Sequence, residues 1–96
     1  MNPDIPPSGT KFPLGRTVAT RGALAELAAD DLLSALCRHS TGDWGDVCTE
    51  DWAENEFSLK KGYRLFSVYR SSSGVKFYVI TESDRSATTI LLPHEY

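Results

Sequence analysis

The sequence predicts an α+β fold: a two-layer sandwich whose N-terminal helices, about 21–39 and 49–61, pack on a C-terminal three-stranded antiparallel meander, about 63–92. Three observations carry this expectation. Apolar residues recur at helical spacing as far as residue 61 and alternate with period two beyond it. Short Ser- and Gly-containing turns separate the alternating segments. At 96 residues and 41% hydrophobic, the chain suits one small core and one domain.

Residues 1–14 carry Pro3, Pro6, Pro7 and Pro13 and read as an extended arm ahead of a single domain over 15–96. The segment 16–20 suits either a short edge strand or a lead-in to the first helix. Thr20 is a good N-cap for a helix from Arg21. Leu24 and Leu27 give one apolar face, and Leu32, Leu33 and Leu36 give a second that runs on to Cys37. The pattern leaves open one bent helix or two between 21 and 39, and Asp30, as a second cap, favours two. Thr49 caps the next helix, with Glu50 and Asp51 in a first turn that suits the helix dipole. Trp52 with Leu59, and Ala53 with Phe57, supply its buried stripe. Lys60, Lys61 and then Gly62 mark its end.

The strands follow. Residues 63–70 and 75–81 are separated by the turn 71–74, and 86–92 follows the turn 83–85 and stops at Pro93. Both faces of the first two strands carry bulky apolar groups, since Phe66 and Val68 oppose Tyr63, Leu65 and Tyr69. A homodimer through the sheet face, or a partner protein, would cover the side without helices. The terminal LLPHEY is expected to pack Tyr96 or Leu92 on the core.

No apolar run approaches the roughly 20 residues of a membrane span. The N-terminus lacks the basic-then-apolar order of a secretion signal. A soluble, cytoplasmic protein is the expectation, with Cys37 and Cys48 as free thiols. The net charge of −3 hides an uneven distribution: from Glu26 to Glu56 nine acidic residues face one basic residue, Arg38, a balance of −8, while the remainder carries +5. Such an acidic block is usually a solvated helical face. As a device, it suits a basic protein surface of the kind that handles nucleic acid, and it argues against direct nucleic-acid binding.

The stretch RHSTGDWGD, residues 38–46, concentrates reactive residue types. With GYRLFSVYR (62–70) and VITESDRSATTILLPHEY (79–96) it resembles a family of small uncharacterised bacterial proteins labelled plasmid-related and carried on plasmids and integrating elements. The resemblance spans about residues 16–96. Where that family tends to have Gly and Pro between the first two helical segments, this chain has Ala28-Ala29-Asp30-Asp31. The family has no settled activity, so the resemblance implies a mobile-element setting, whose cargo includes toxins, antitoxins, anti-restriction and anti-CRISPR proteins.

Four chemistries compete for the motif. Cys37, His39, Cys48 and His94 are zinc-type ligands, but no C-x-x-C or H-x-x-x-H spacing is present, so no metal is expected. A Cys37–His39 or Cys48–His39 nucleophile needs a cation to stabilise the thiolate, and the acidic surroundings oppose it. A metal-independent ribonuclease would use His39 and Asp43 as acid and base, Arg85, Lys76 and Arg64 on phosphate, and Thr88 or Thr89 as a polar ligand. Helices first and antiparallel sheet second is the order of barnase–RelE-like toxins, a fold-level analogy only. Without a ligand, Arg38 and His39 end a helix, Gly42 and Gly45 supply positive φ, Asp43 and Asp46 cap local N–H groups, and Trp44 buries its ring.

The sequence therefore favours a mobile-element accessory protein, of anti-restriction or anti-CRISPR type, that binds a protein partner without catalysis or cofactor. Asp46, Glu50, Asp51, Glu54, Glu56 and Trp44 are the expected contact residues. The alternative is the ribonuclease with His39, Asp43, Arg85 and Thr88 as its catalytic set. Whether His39, Asp43 and Arg85 converge in one cleft separates the two.

Overall fold

A computed structural model describes residues 9–96. The chain runs β1 (Arg16–Ala19), α1 (Arg21–Glu26), α2 (Ala29–Ser40), α3 (Thr49–Lys61), β2 (Leu65–Arg70), β3 (Lys76–Thr81) and β4 (Ala87–Leu91), and ends in a 3-10 turn, Pro93–Glu95. The α+β class holds. The expected three-stranded antiparallel meander is corrected to a four-stranded mixed sheet of order β1-β4-β3-β2, because β1 pairs in parallel with β4. Helices therefore do not precede the whole sheet. Of the two readings open for 16–20, the short edge strand is the one found, and its partner lies 71 positions further along the chain, Arg16 against Ala87.

Two helices, not one, occupy 21–39. Thr20 caps α1 as expected, its hydroxyl accepting from Ala23 N–H at 3.2 Å. Leu27 and Ala28 are extended, which breaks the path before α2. Ala28, not Asp30, occupies the α2 cap position, and Asp30 lies in the first turn, where its charge faces the helix dipole. Similarly Cys48 sits at the cap of α3 and Thr49 is its first residue. Gly62 ends α3 at φ 78°, as the Lys-Lys-Gly order required.

Strand register sets the core. Leu65, Ser67 and Tyr69 lie opposite Thr81, Val79 and Phe77, so these six share the face towards the helices. Ala23, Leu27 and Ala35 pack there with Tyr69, Phe77, Val79, Ile90 and Leu92. A second cluster joins Phe12, Trp44 and Leu65. On the other face Val68, Ile80 and Leu91 are also buried. Phe66, Tyr78 and Tyr96 pack on one another there, and Arg64 donates to the Tyr96 hydroxyl. The C-terminal turn thus covers part of the face expected to need a partner.

Of the expected arm, residues 1–8 lie outside the described residues. From residue 9 the chain lies along the domain. Lys11 N–H donates to Ser40 C=O at 2.7 Å, and Phe12 is buried. At the other end Glu95 accepts from Thr20 Oγ1, from Gly22 N–H at 3.0 Å and from Leu92 N–H at 2.9 Å. That carboxylate ties the last turn to the start of α1, and these bonds hold it below the usual carboxylate range.

The stripe on α3 differs in part from expectation: Leu59 packs against Phe12, Trp44 and Leu65, but Trp52, Ala53 and Phe57 are exposed. Asn55 and Ser58 are buried, whereas Trp52 is 37% and Phe57 48% exposed. The cause lies at the edge of the sheet. Asn55 Nδ2 donates to Phe66 C=O at 2.7 Å and its Oδ1 accepts from Phe66 N–H at 3.0 Å. Two residues further on, Val68 N–H donates to Trp44 C=O and Asp46 N–H to Val68 C=O. Side chain and loop together close the β2 edge, removing a row of open backbone groups. Seating the amide inward turns Phe57, two positions on, to the opposite side of the helix.

Candidate functional site

The loop between α2 and α3 exists because of two glycines at positive φ, Gly42 at 85° and Gly45 at 77°. A Cβ on Gly45 would stand 2.0 Å from Val68 O, so the loop's approach to β2 demands glycine. Asp43 accepts from Gly45 N–H at 3.1 Å and from Arg38 Nε at 2.8 Å. Arg38 also lies 4.6 Å from the Tyr69 ring centroid, and the Tyr69 hydroxyl donates to Asp43 C=O. The Arg38 bond lowers the Asp43 pKa and raises that of Arg38. Both side chains are half exposed, so screening keeps the pair a minor contributor to stability.

His39 points the other way. It is fully buried at the last turn of α2. Nδ1 lies 2.6 Å from Ser67 Oγ and Nε2 lies 2.8 Å from Thr81 Oγ1. Thr81 Oγ1 is 2.7 Å from Thr88 Oγ1, which donates to Leu14 C=O at 2.7 Å. Each hydroxyl carries one proton, which fixes the direction of the chain. Thr88 gives its proton to the carbonyl, so it accepts from Thr81. Thr81 therefore accepts from Nε2–H, and Nδ1 accepts from Ser67. The imidazole is the neutral Nε2–H tautomer. Burial first, and the charge of Arg85 second, push its pKa down to about 3. The ring edges of His39 meet Phe12 at 5.3 Å and Trp44 at 5.6 Å between centroids, completing an apolar box.

Arg85 is spent on backbone. Its NH1 donates to Tyr63 C=O at 2.6 Å, Glu82 C=O at 3.1 Å and Ser83 C=O at 3.3 Å, and its NH2 to Ser58 C=O at 3.2 Å. It caps the end of α3 and holds its own turn, in which it takes φ 60°. The expected catalytic set is thus divided among three places. His39 and Thr88 meet through Thr81 in the dry core, Asp43 stands at the surface on Arg38, and Arg85 faces carbonyls. They form no shared cleft open to substrate.

The expected contact residues divide too. Trp44 is fully buried and donates from Nε1 to Glu56 at 3.0 Å, so these two are spent on each other. Asp46 is exposed, 3.9 Å from Arg70. Glu50, Asp51 and Glu54 are exposed on α3, beside the outward Trp52 and Phe57. Asp51 and Glu54 also border a pocket of 230 Å³ with Asn55, Arg64 and Phe66. Phe57 leans on Tyr63 at 5.8 Å, extending the aromatic surface past the end of the helix.

Cys37 and Cys48 are free and exposed. Among the described residues no group of three His, Cys, Asp or Glu side chains stands close enough to hold a metal ion, and no helix is long and apolar enough to cross a membrane. Sequence reasoning missed Ser67, Thr81 and Asn55. Their signal was parity: Ser67 sits at an inward position between Leu65 and Tyr69, where a polar side chain needs a partner. Compared with protein-family models, curated proteins and solved structures, the chain matches none.

Proposed function

We propose that this chain is a non-enzymatic accessory protein of a mobile genetic element that acts by docking α3 onto a protein partner. The single observation behind this reading is the company that Trp52 and Phe57 keep. Two large apolar side chains stand exposed on one helix, Trp52 near the acidic residues Glu50, Asp51 and Glu54, and Phe57, about 140° further round, between Glu54 and the exposed Lys60 and Lys61. Aromatic anchors within a charged rim are the composition of an energetically uneven interface, in which a few side chains carry most of the affinity. The acidic rim selects a basic surface, of the kind that host defence and other nucleic-acid-handling proteins present, and steers its approach. An anti-restriction or anti-CRISPR role is the form of this activity that fits the mobile-element resemblance.

The test compares capture of host proteins by wild type, by Trp52→Ala and by the triple variant Glu50→Gln, Asp51→Asn, Glu54→Gln. The expected outcome is one partner with a basic surface, retained at low salt and released as ionic strength rises. Trp52→Ala weakens its capture about 10-fold or more, and the triple variant flattens the salt dependence. Undiminished capture by both variants would sink the proposal.

A further inference from the structure

The two edges of the sheet are treated differently. The β2 edge is closed by Asn55 and by residues 44–46. The β1 edge is not. In the parallel ladder Arg16 N–H donates to Ser86 C=O and Thr20 N–H to Ile90 C=O, so residues 16, 18 and 20 direct their backbone groups at β4. Thr17 and Ala19 direct theirs outward, and among the described residues no backbone bond reaches them. A four-residue edge carrying Val18 at 41% exposure is a template for strand addition. Beside it lies an apolar groove of about 340 Å³ between β1 and α2, walled by Leu32, Leu33 and Leu36 and floored by Thr17, Ala19 and Ile90.

We propose that this edge binds a second copy of the chain, β1 pairing antiparallel with β1 about a two-fold axis at Val18. The register follows from the geometry. Opposed residues in an antiparallel pair share a face, so the two positions must have equal parity. Centring on Val18 sets Thr17 opposite Ala19 of the second copy, and the reverse, so that the outward groups exchange four backbone hydrogen bonds. Centring on Thr17 instead would set Ala19 against Gly15, which at φ 66° has left the strand. The Val18 register also matches charge. Arg16 comes opposite Thr20 of the second copy, whose hydroxyl holds the Glu95 carboxylate. The two positions are each other's images, so the pairing of Arg16 with Glu95 occurs twice.

The resulting sheet has eight strands with all helices on one side. Thr17 and Ala19 are small, so the two grooves join over the seam, and Leu33, 67% exposed in one copy, faces a shared apolar space. The α3 surfaces lie at the outer edges, away from the seam, so dimerisation and partner docking are independent of each other.

Sedimentation and cross-linking test the pairing on the full chain. Wild type is expected to sediment at twice its 10.6 kDa mass. Val18→Lys sets like charges opposite each other and weakens self-association by about 100-fold, with an unchanged circular dichroism spectrum. Mixing Val18→Lys with Val18→Glu restores a dimer that neither forms alone. With Cys37→Ser and Cys48→Ser in the background, Val18→Cys oxidises to a disulfide-linked dimer, since opposed residues of a pair without backbone hydrogen bonds lie about 4.5 Å apart at Cα. Thr17→Cys, opposite Ala19, does not. A monomer at all concentrations overturns the proposal, as does a dimer that ignores Val18→Lys or cross-links no better at 18 than at 17.

Discussion

The imidazole of His39 and the hydroxyl of Thr81 meet at 2.8 Å inside the core, joining the last turn of α2 to the end of β3. With Ser67 on the other ring nitrogen, the histidine bridges two neighbouring strands from above. The most reactive-looking residue of the chain is therefore a structural pin.

Replacing the pin should be costly. His39→Ala leaves the Ser67 and Thr81 hydroxyls without their bonds to the ring and opens a cavity against Phe12 and Trp44. A loss of about 3–5 kcal/mol is expected, read as a lower urea midpoint. A change under 1 kcal/mol would mean that the ring is not held as described. Wild type is expected to cleave no RNA, since the ring has no route to substrate.

The histidine also sets a pH dependence. In the unfolded chain it ionises near pH 6.5, and in the fold only near 3. Between these values the unfolded chain binds the extra proton. Stability from this group is thus complete above about pH 6.5 and falls as pH drops towards 3, by up to about 1.4 kcal/mol per pH unit. The stability gap between wild type and His39→Gln should narrow from pH 6.5 to 4.5. Nitrogen chemical shifts should report an Nε2–H ring that does not titrate above pH 4. Parallel stability curves, or a His39 midpoint near 6.5, would contradict this.

Gly45 is where the loop touches the sheet. Gly45→Ala asks an L-residue to hold φ 77°, which costs about 1–2 kcal/mol, and sets a methyl group against Val68 O. Thermal unfolding should show a larger loss than for Gly74→Ala, which also has positive φ but open space around it. Equal losses would remove the contact with Val68 as the reason for glycine.

Asn55 guards the β2 edge. Asn55→Leu forfeits both bonds to Phe66 and should cost about 2 kcal/mol while raising the tendency to aggregate. Light scattering on heating, compared with Ala53→Leu on the exposed side of α3, checks it. Identical behaviour of the two variants would show that the amide does not protect the edge.

Much of this architecture was legible in the sequence. Thr20, Gly62 and the alternation over 63–92 carry local signals with a direct physical meaning, and they placed a helix start, a helix end and three strands. The fourth strand was half legible: the segment from Arg16 suited a short edge strand or a helix lead-in, but its parallel pairing with β4, 71 residues away, leaves no trace in four residues. The face of α3 was misjudged for a related reason. Trp52 and Phe57 are the apolar positions, but the β2 edge needs an amide, and Asn55 took the inward place. In RHSTGDWGD the glycines, Arg38 and Asp43 behave as a helix end and tight loop require, whereas the fate of His39 depended on Ser67 and Thr81 from distant strands.

The central functional claim is that α3 is the contact surface, and a photo-crosslinking residue at position 52 tests it most directly. Incorporated there in a chain expressed in a bacterial host, it should give one adduct with a basic-surfaced protein, lost when Glu50, Asp51 and Glu54 are neutralised. The same residue at position 73, in the turn after β2, should give none. Equal adducts at both positions, or none at 52 under conditions where a partner is captured, would contradict the account.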